Sequence, residues 1–273
     1  MTLTRRRAVT AGAGLALALA ATPAVTATPA AAVPRGRGRG RTLYIAGDST
    51  AAQKYADAAP ETGWGMALPF FLHRGVTVAN HAVNGRSTKS FIDEGRLTAI
   101  LDVIRPGDLL LIQFGHNDQK TTDPTRYTEP WTTYQDNLGR FVDGARACGA
   151  LPVLATSVER RRFDAEGTAL RTHGEYPAAM RQVAAEEDVA VIDVQEQSLA
   201  LWQELGPETT KTYFNWTATE QDNTHFNPPG AIAVARMVAT GLLHTRALAT
   251  GDTRRTEEEV PAQWITWPDS EES

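Results

Sequence analysis

The chain has one cysteine, Cys148, among 273 residues. No internal disulfide can form, so the fold must be held by its core alone. Cys148 closes the helix-like stretch Ala145–Cys148, and it reads as a structural thiol. Metal-ligand spacing is also missing: nothing resembles paired cysteines or H-E-x-x-H, and His116 stands alone. No glycine-rich phosphate loop is present, and neither a metal nor a cofactor is expected. Positive charge is scarce. Residues 1–32 hold three arginines and no acid, and the remainder has 24 basic against 32 acidic residues. An acidic protein is a poor match for nucleic acid or an anionic membrane, and neither is expected as a partner. The longest apolar run, Ala11–Ala21, is too short to span a bilayer.

That run has another reading. Arg5-Arg6-Arg7 precede it and small residues follow it up to Ala30-Ala31-Ala32. Charge, apolar run and small residues in this order make residues 1–32 a signal peptide that resembles the twin-arginine type, and the protein is expected to be secreted. Residues 33–42 alternate glycine and arginine as a linker. Residues 43–249 then form one domain, and 250–273 an acidic tail whose Trp264 and Trp267 argue for packing rather than exposure. A monomer is expected.

Within the domain, short apolar runs alternate with helix-like segments. The runs are Leu43–Ala46, Val76–Ala82, Asp108–Phe114, Leu151–Thr156 and Val189–Val194. They are brief and bounded by turn residues, as strands buried on both faces should be. Helices are predicted at Gly65–Leu72, Ser90–Val103, Thr132–Ala147 and Pro177–Glu187, and from Pro228-Pro229 through Leu243. The pattern predicts an α/β three-layer α/β/α sandwich around a five-stranded parallel sheet.

Ligands bind such sheets at the carboxyl ends of the strands. Ser49 follows the first run, in Gly47-Asp48-Ser49-Thr50. Gly85 follows the second, in Asn84-Gly85-Arg86-Ser87, and Asn117 the third, in Gly115-His116-Asn117-Asp118. Asp222-Asn223-Thr224-His225 comes before the last helix, in what reads as a loop. A serine hydroxyl needs a base and a set of donors for the developing oxyanion. His225 can be the base, oriented by Asp222 three residues earlier. The N–H groups of Ser49 and Gly85 and the Asn117 amide can form the oxyanion hole. Each residue also has a bland role: Ser49 as a helix cap, Asp48 and Gly85 as turn formers, Asn117 and Asp118 as loop caps. An esterase needs all of them together.

These four segments resemble the first, second, third and fifth blocks of the SGNH, or GDSL, hydrolase superfamily. Asn223 stands where many members have glycine. Within the superfamily, Phe114-Gly115-His116-Asn117-Asp118 and Thr224-His225-Phe226 with Gly230-Ala231 look most like rhamnogalacturonan acetylesterases. The resemblance spans about residues 43–245. It implies a flavodoxin-like fold, a Ser49–His225–Asp222 triad, no metal, and release of acetyl groups from pectin. A lipase, thioesterase, aryl esterase or acetyl xylan esterase on the same triad, or a non-catalytic carbohydrate-binding module, are the alternatives. For an acetylated polysaccharide substrate, Trp64 and Trp216 are candidate stacking surfaces, and Arg86 and Lys89 candidate partners for a uronate carboxylate. Arg86 could instead pair with a protein acid, Asp118 being one choice. The run Arg160-Arg161-Arg162 could serve the same carboxylate or be a solvated loop.

Overall fold

The computed structural model describes residues 40–269, so the predicted signal segment and most of the predicted linker lie outside the described residues. In chain order the elements are β1 (Arg41–Gly47), α1 (Trp64–Ala67), β2 (Val76–Asn80), α2 (Thr88–Asp93), α3 (Arg96–Leu101), β3 (Leu109–Gln113), α4 (Gln135–Ala147), β4 (Leu151–Ala155), α5 (Tyr176–Glu186), β5 (Ala190–Ile192), α6 (Val194–Thr209), β6 (Phe214–Trp216), β7 (Gln221–Phe226) and α7 (Pro228–His244). Strands β1 to β5 form one sheet in the order β2-β1-β3-β4-β5. All four pairings are parallel.

Side-chain alternation along the strands sorts the core into two layers. Leu43, Ile45, Leu109, Leu111, Val153 and Ile192 face a layer built with Ala67, Trp202 and Val234 from α1, α6 and α7. Tyr44, Ala46, Leu110, Ile112 and Leu154 face Phe91, Ile100, Phe141 and Met180 from α2 to α5. Every residue of β3 is buried. Burial of each of its four leucine and isoleucine side chains stabilises the fold by roughly 1.5–3 kcal/mol. The α/β/α sandwich is therefore dictated by strands that are apolar on both faces.

The predicted helix Ser90–Val103 is two helices. Gly95 between them takes φ 73°, which stops α2 and turns the chain into α3. The predicted Gly65–Leu72 helix tightens into a 3-10 turn after Ala67, at Pro69. Helix α6 is not anticipated by the sequence reading. Asp193, taken there as part of a strand, is its N-cap and accepts a hydrogen bond from the Glu196 N–H. The run Val189–Val194 thus holds a strand end, a cap and a helix start within six residues.

Strands β6 and β7 form a separate antiparallel hairpin, also absent from the sequence reading. The tail beyond α7 packs on the domain, with Val260 and Ile265 buried. The Trp267 indole donates to Glu61 O at 2.8 Å, and the Ala56 N–H to Pro268 O at 2.9 Å. Trp264 keeps 41% of its surface exposed while its ring meets Phe70 edge-on. Among the described residues no helix is long and apolar enough to cross a membrane.

Candidate active site

The turn after β1 is shaped by Asp48. Its Oδ1 accepts from the Thr50 N–H at 2.9 Å and from Thr50 Oγ1 at 2.8 Å. Its carbonyl accepts from the N–H groups of Ala51 and Ala52, both at 3.1 Å. Burial pushes the Asp48 carboxyl up from its ordinary pKa, against the opposing Thr50 bonds and the nearby His225. Asp48 therefore builds the turn, and Ser49 stands at its apex.

From Ser49 a relay runs outward. His225 Nε2 lies 2.8 Å from Ser49 Oγ, and His225 Nδ1 lies 2.6 Å from Asp222 Oδ2. The other oxygen, Asp222 Oδ1, accepts from the N–H groups of Thr224 at 2.6 Å and His225 at 3.0 Å. Partial burial works to raise the Asp222 pKa. The bond and charge of His225 and the two backbone N–H groups outweigh it and hold the carboxyl below its ordinary range.

Residues three apart on a regular strand face opposite ways. The hairpin resolves this with a register irregularity. Phe214 pairs with Phe226 and Trp216 with Gln221, so two steps on β6 oppose five on β7. The surplus residues bulge out of the ladder, and Asp222 Oδ1 holds the bulge by binding the two N–H groups. His225 is thus on a bulged strand, where the sequence reading has a loop.

The donors come from the next two strands. The Arg86 N–H reaches Val83 O at 3.3 Å, closing a turn in which Gly85 has φ 76°. A side chain there would be strained. The Asn117 amide donates one hydrogen to Arg86 O at 3.0 Å, which ties the two loops and leaves its second hydrogen unspent. Among the described residues no acceptor takes the N–H of Ser49 or Gly85. The preceding Gly115, at φ 144°, admits no side chain, since a Cβ would lie 2.4 Å from Ser157 Oγ.

Two carboxylates and a lysine hold these loops from behind. Asp118 Oδ1 accepts from Thr88 N–H at 3.0 Å, Thr88 Oγ1 at 2.5 Å and Thr128 Oγ1 at 3.1 Å. Burial raises the Asp118 pKa to about 7, against those bonds and with help from the Asp48 charge. Lys54, buried at 2% side-chain exposure, places Nζ 2.7 Å from Asn84 Oδ1 and 2.6 Å from Glu61 Oε1.

The structure therefore brings Ser49, Asp222, His225, Gly85 and Asn117 together. It does not do so for all the substrate candidates. Trp64 is 1% exposed, and its indole donates to Gln113 Oε1 at 3.2 Å; it is a core residue and offers no face to a sugar. Arg86 is paired, with Glu94 rather than Asp118, its Nε 3.0 Å from Glu94 Oε2 and its Nη1 2.9 Å from Asn84 O. Lys89 lies on α2 with Nζ 2.8 Å from Asp93. Trp216 is the last residue of β6 in the hairpin, and its ring already carries the Arg161 guanidinium at 4.7 Å and Lys211 Nζ at 5.2 Å.

Arg161 is the residue that sequence reasoning misplaces. Its N–H donates to Asn223 O at 2.8 Å, and its guanidinium to Asn223 Oδ1 at 2.7 Å and to Pro207 O at 2.7 and 3.2 Å. Pro207 O is available because α6 is broken at Gly206, φ 71°. Arg161 so fastens the bulge from outside. Asn223, the departure from glycine, supplies the acceptor, and that departure is the one signal the sequence carries. Arg160 is partly buried and donates to His116 O and Thr172 O, both at 3.3 Å. His116 is buried and packs edge-on against His173 at 4.4 Å, and burial, then the charges around it, hold its pKa well below the ordinary value. Among the described residues no group of three or more His, Cys, Asp or Glu could hold a metal.

Residues 45–231 match the model of the GDSL-like Lipase/Acylhydrolase family. Two Bacillus subtilis (strain 168) proteins are similar over most of their length. The probable rhamnogalacturonan acetylesterase YesY is 46% identical over 200 residues, covering 73% of this chain and 91% of that one. The rhamnogalacturonan acetylesterase RhgT is 46% identical over 209 residues, covering 73% and 88%. Among solved structures, the Bacillus subtilis protein YxiM superposes with a TM-score of 0.68 at 29% identity, over 77% of this chain and 58% of that one.

Proposed function

The chain belongs to the GDSL-like lipase/acylhydrolase family of carboxylic ester hydrolases, and we propose that it is a secreted acetylesterase whose substrate is acetylated rhamnogalacturonan, a pectin. The single observation that carries the reading is the unbroken relay Asp222–His225–Ser49 at 2.6 and 2.8 Å, ending beside N–H groups with no protein acceptor. The names of YesY and RhgT support the polysaccharide and its acetyl group.

The reaction follows from the geometry. His225 Nε2 takes the Ser49 proton as Oγ attacks the acetyl carbonyl carbon. The carbonyl oxygen becomes an oxyanion held by the N–H groups of Ser49 and Gly85 and the second Asn117 hydrogen. Asp222 stabilises the imidazolium and fixes its tautomer. The bond to the sugar oxygen then breaks, and that oxygen leaves with the proton from His225. Water attacks the acetyl-serine, gives its proton to His225, and the second tetrahedral species collapses to acetate and free Ser49.

The test is acetate release by the mature enzyme from acetylated rhamnogalacturonan, acetylated xylan and a chain-length series of p-nitrophenyl esters. The expected order places rhamnogalacturonan first among the polymers and acetate first among the aryl esters. Preference for acyl chains of about eight carbons or more, whose burial needs a long apolar pocket, would make the enzyme a lipase. Secretion is checked by the N-terminus of the protein recovered from culture medium, which should begin beyond residue 32.

A further inference from the structure

We propose that the cleft between the C-terminal tail and the loop after Ser49 is a subsite for a neutral sugar ring of the polymer, held apart from the unit that carries the acetyl group. This rests on the polysaccharide reading above and adds a second point of attachment, outside the triad and the oxyanion hole.

The cleft has a volume of about 470 Å³ and is walled by Phe70, Trp264 and Trp267, with Met66, Gln53 and Thr266 between them. Its tail side is fixed in place. The Trp267 indole donates to Glu61 O at 2.8 Å, the Ala56 N–H donates to Pro268 O at 2.9 Å, and Ile265 between the two tryptophans is buried. Trp264 keeps 41% of its surface exposed. The Arg255 guanidinium lies 5.2 Å over its ring but does not line the cleft, so the cation backs the indole while the indole still faces the cavity. The family match ends at residue 231, so both tryptophans lie outside it.

Two connections place the cleft beside the catalytic loops. Gln53 is four residues beyond Ser49, a chain reach of about 14 Å at most. The Ala51 and Ala52 N–H groups turn that stretch back onto Asp48 O, which shortens it further. Across the fold, the Glu61 residue whose carbonyl holds Trp267 also places Oε1 2.6 Å from Lys54 Nζ. Lys54 Nζ in turn lies 2.7 Å from Asn84 Oδ1, one residue before Gly85. A polymer whose acetyl group sits at Ser49 therefore has its neighbouring units within reach of the cleft.

The lining names the occupant. A sugar ring has an apolar face of C–H groups and a rim of hydroxyls; aromatic side chains meet the first and uncharged polar groups the second. The Gln53 amide donates to Lys54 O at 2.7 Å, and among the described residues its Oε1 and the Thr266 hydroxyl have no partner. None of the eight residues that line the cleft is charged. A uronate carboxylate would lose its hydration there without gaining a counter-ion. A fatty acyl chain would cover the two polar groups and pair with neither. A neutral ring satisfies both walls.

The experiment titrates the mature enzyme, by calorimetry, with deacetylated rhamnogalacturonan oligosaccharides, which hold no ester, and with oligogalacturonates of the same length. The first should bind, and the second should bind about tenfold more weakly or not at all. Trp264→Ala should weaken binding of the first about tenfold or more, and Trp264→Phe should recover most of it. Thr266→Val, which keeps the shape of the wall, should cost about two- to tenfold. In kinetics, Trp264→Ala should raise KM for long acetylated oligosaccharides with little change in kcat, the mark of binding shared by ground and transition states. Its effect on p-nitrophenyl acetate should be smaller. Oligogalacturonates bound equally well, or unchanged binding in both Trp264→Ala and Thr266→Val, with acetate still released from the polymer, overturns the subsite and leaves the proposed function standing. A dimer that Trp264→Ala dissociates, with no oligosaccharide bound, makes the cleft an interface between copies and overturns the subsite as well. Neither binding nor acetate release removes the polysaccharide reading, and the subsite with it.

Discussion

Ser49, Gly85 and Asn117 follow β1, β2 and β3, three neighbours in one parallel sheet, whereas Asp222 and His225 hang on a hairpin that shares no ladder with that sheet. The first group is set by strand register. Its loops are tied to one another by Asn117 to Arg86 O, by Asp118 to Thr88, and by Lys54 to Asn84. The second is set by side chains: an Asp222 carboxylate that holds its own bulge, and Arg161 that clamps it from outside. In the proposed reaction the donors of the oxyanion hole must not move, because their benefit lies in being already oriented. The base must pass a proton both ways, and a part-exposed imidazole on a bulged strand is suited to that. The difference predicts that damage on the sheet side falls on transition-state binding, while damage on the hairpin side falls on how often the relay is assembled.

The largest effect tests whether the two sides act as one unit. Ser49→Ala and His225→Ala should each lower kcat by about 10⁴-fold or more, and the double variant should be little worse than either. Thermal melts should be close to wild type. Multiplying losses in the double variant would show that the halves work independently.

Next comes the sheet side alone. Asn117→Ala should lower kcat by about 10²–10³-fold with little change in KM, since its free hydrogen meets the oxyanion more strongly than the ground-state ester. Steady-state kinetics on an aryl acetate suffices. A loss confined to KM would reassign Asn117 to substrate binding.

On the hairpin side, Arg161→Ala should lower kcat by about ten- to a hundredfold, the scale of a small misplacement of a catalytic group. Asn223→Gly, which removes one acceptor and loosens the bulge, should cost less. Hydrogen exchange should speed up at residues 221–226 and stay unchanged at 47–50 and 109–113. Equal acceleration in both places would show that the hairpin is not a separate unit.

The same contrast explains what the sequence could disclose. Strands buried on both faces read as short apolar runs, so five strands and the three motifs behind them are legible from local pattern. The hairpin is not, because β6 is three residues long and β7 carries polar residues that the bulge makes necessary. Helix α6 hides behind Asp193, its N-cap, which directly follows the last residue of β5. Charged and aromatic candidates fail for a different reason. Arg86 meets Glu94 eight residues on, and Trp64 turns inward to Gln113 across the fold. Such pairings are tertiary, and no spacing rule announces them. Arg161 reads as one member of a run that could bind a carboxylate or be a solvated loop until Asn223 is placed opposite it.

The smallest effect on turnover is expected at Asp118, and it sets the two sides apart by pH. Asp118 belongs to the sheet side and has a raised pKa, about 7, because burial disfavours its charge more than the Thr88 and Thr128 bonds favour it. Asp222 belongs to the hairpin side and has a lowered one. The signs are opposite in their consequences. A carboxyl with a raised folded pKa keeps its proton when the unfolded chain has lost it, so between the ordinary value of 3.8 and about 7 the folded state binds more protons. Stability from Asp118 therefore falls as pH rises through that window, and levels off above it. Asp222 contributes stability that is present above the ordinary range and is lost as pH falls through its lowered pKa. Asp118→Asn copies the protonated form: its oxygen can accept the same three bonds, and no charge appears at high pH. The variant should keep kcat within a few-fold of wild type. Its melting temperature, measured from pH 4 to pH 8, should match wild type at the acid end and exceed it increasingly toward the alkaline end. Parallel curves for the two proteins would mean that Asp118 is ionised throughout, held by its hydroxyl partners, and that the rigidity of the oxyanion side carries no electrostatic cost.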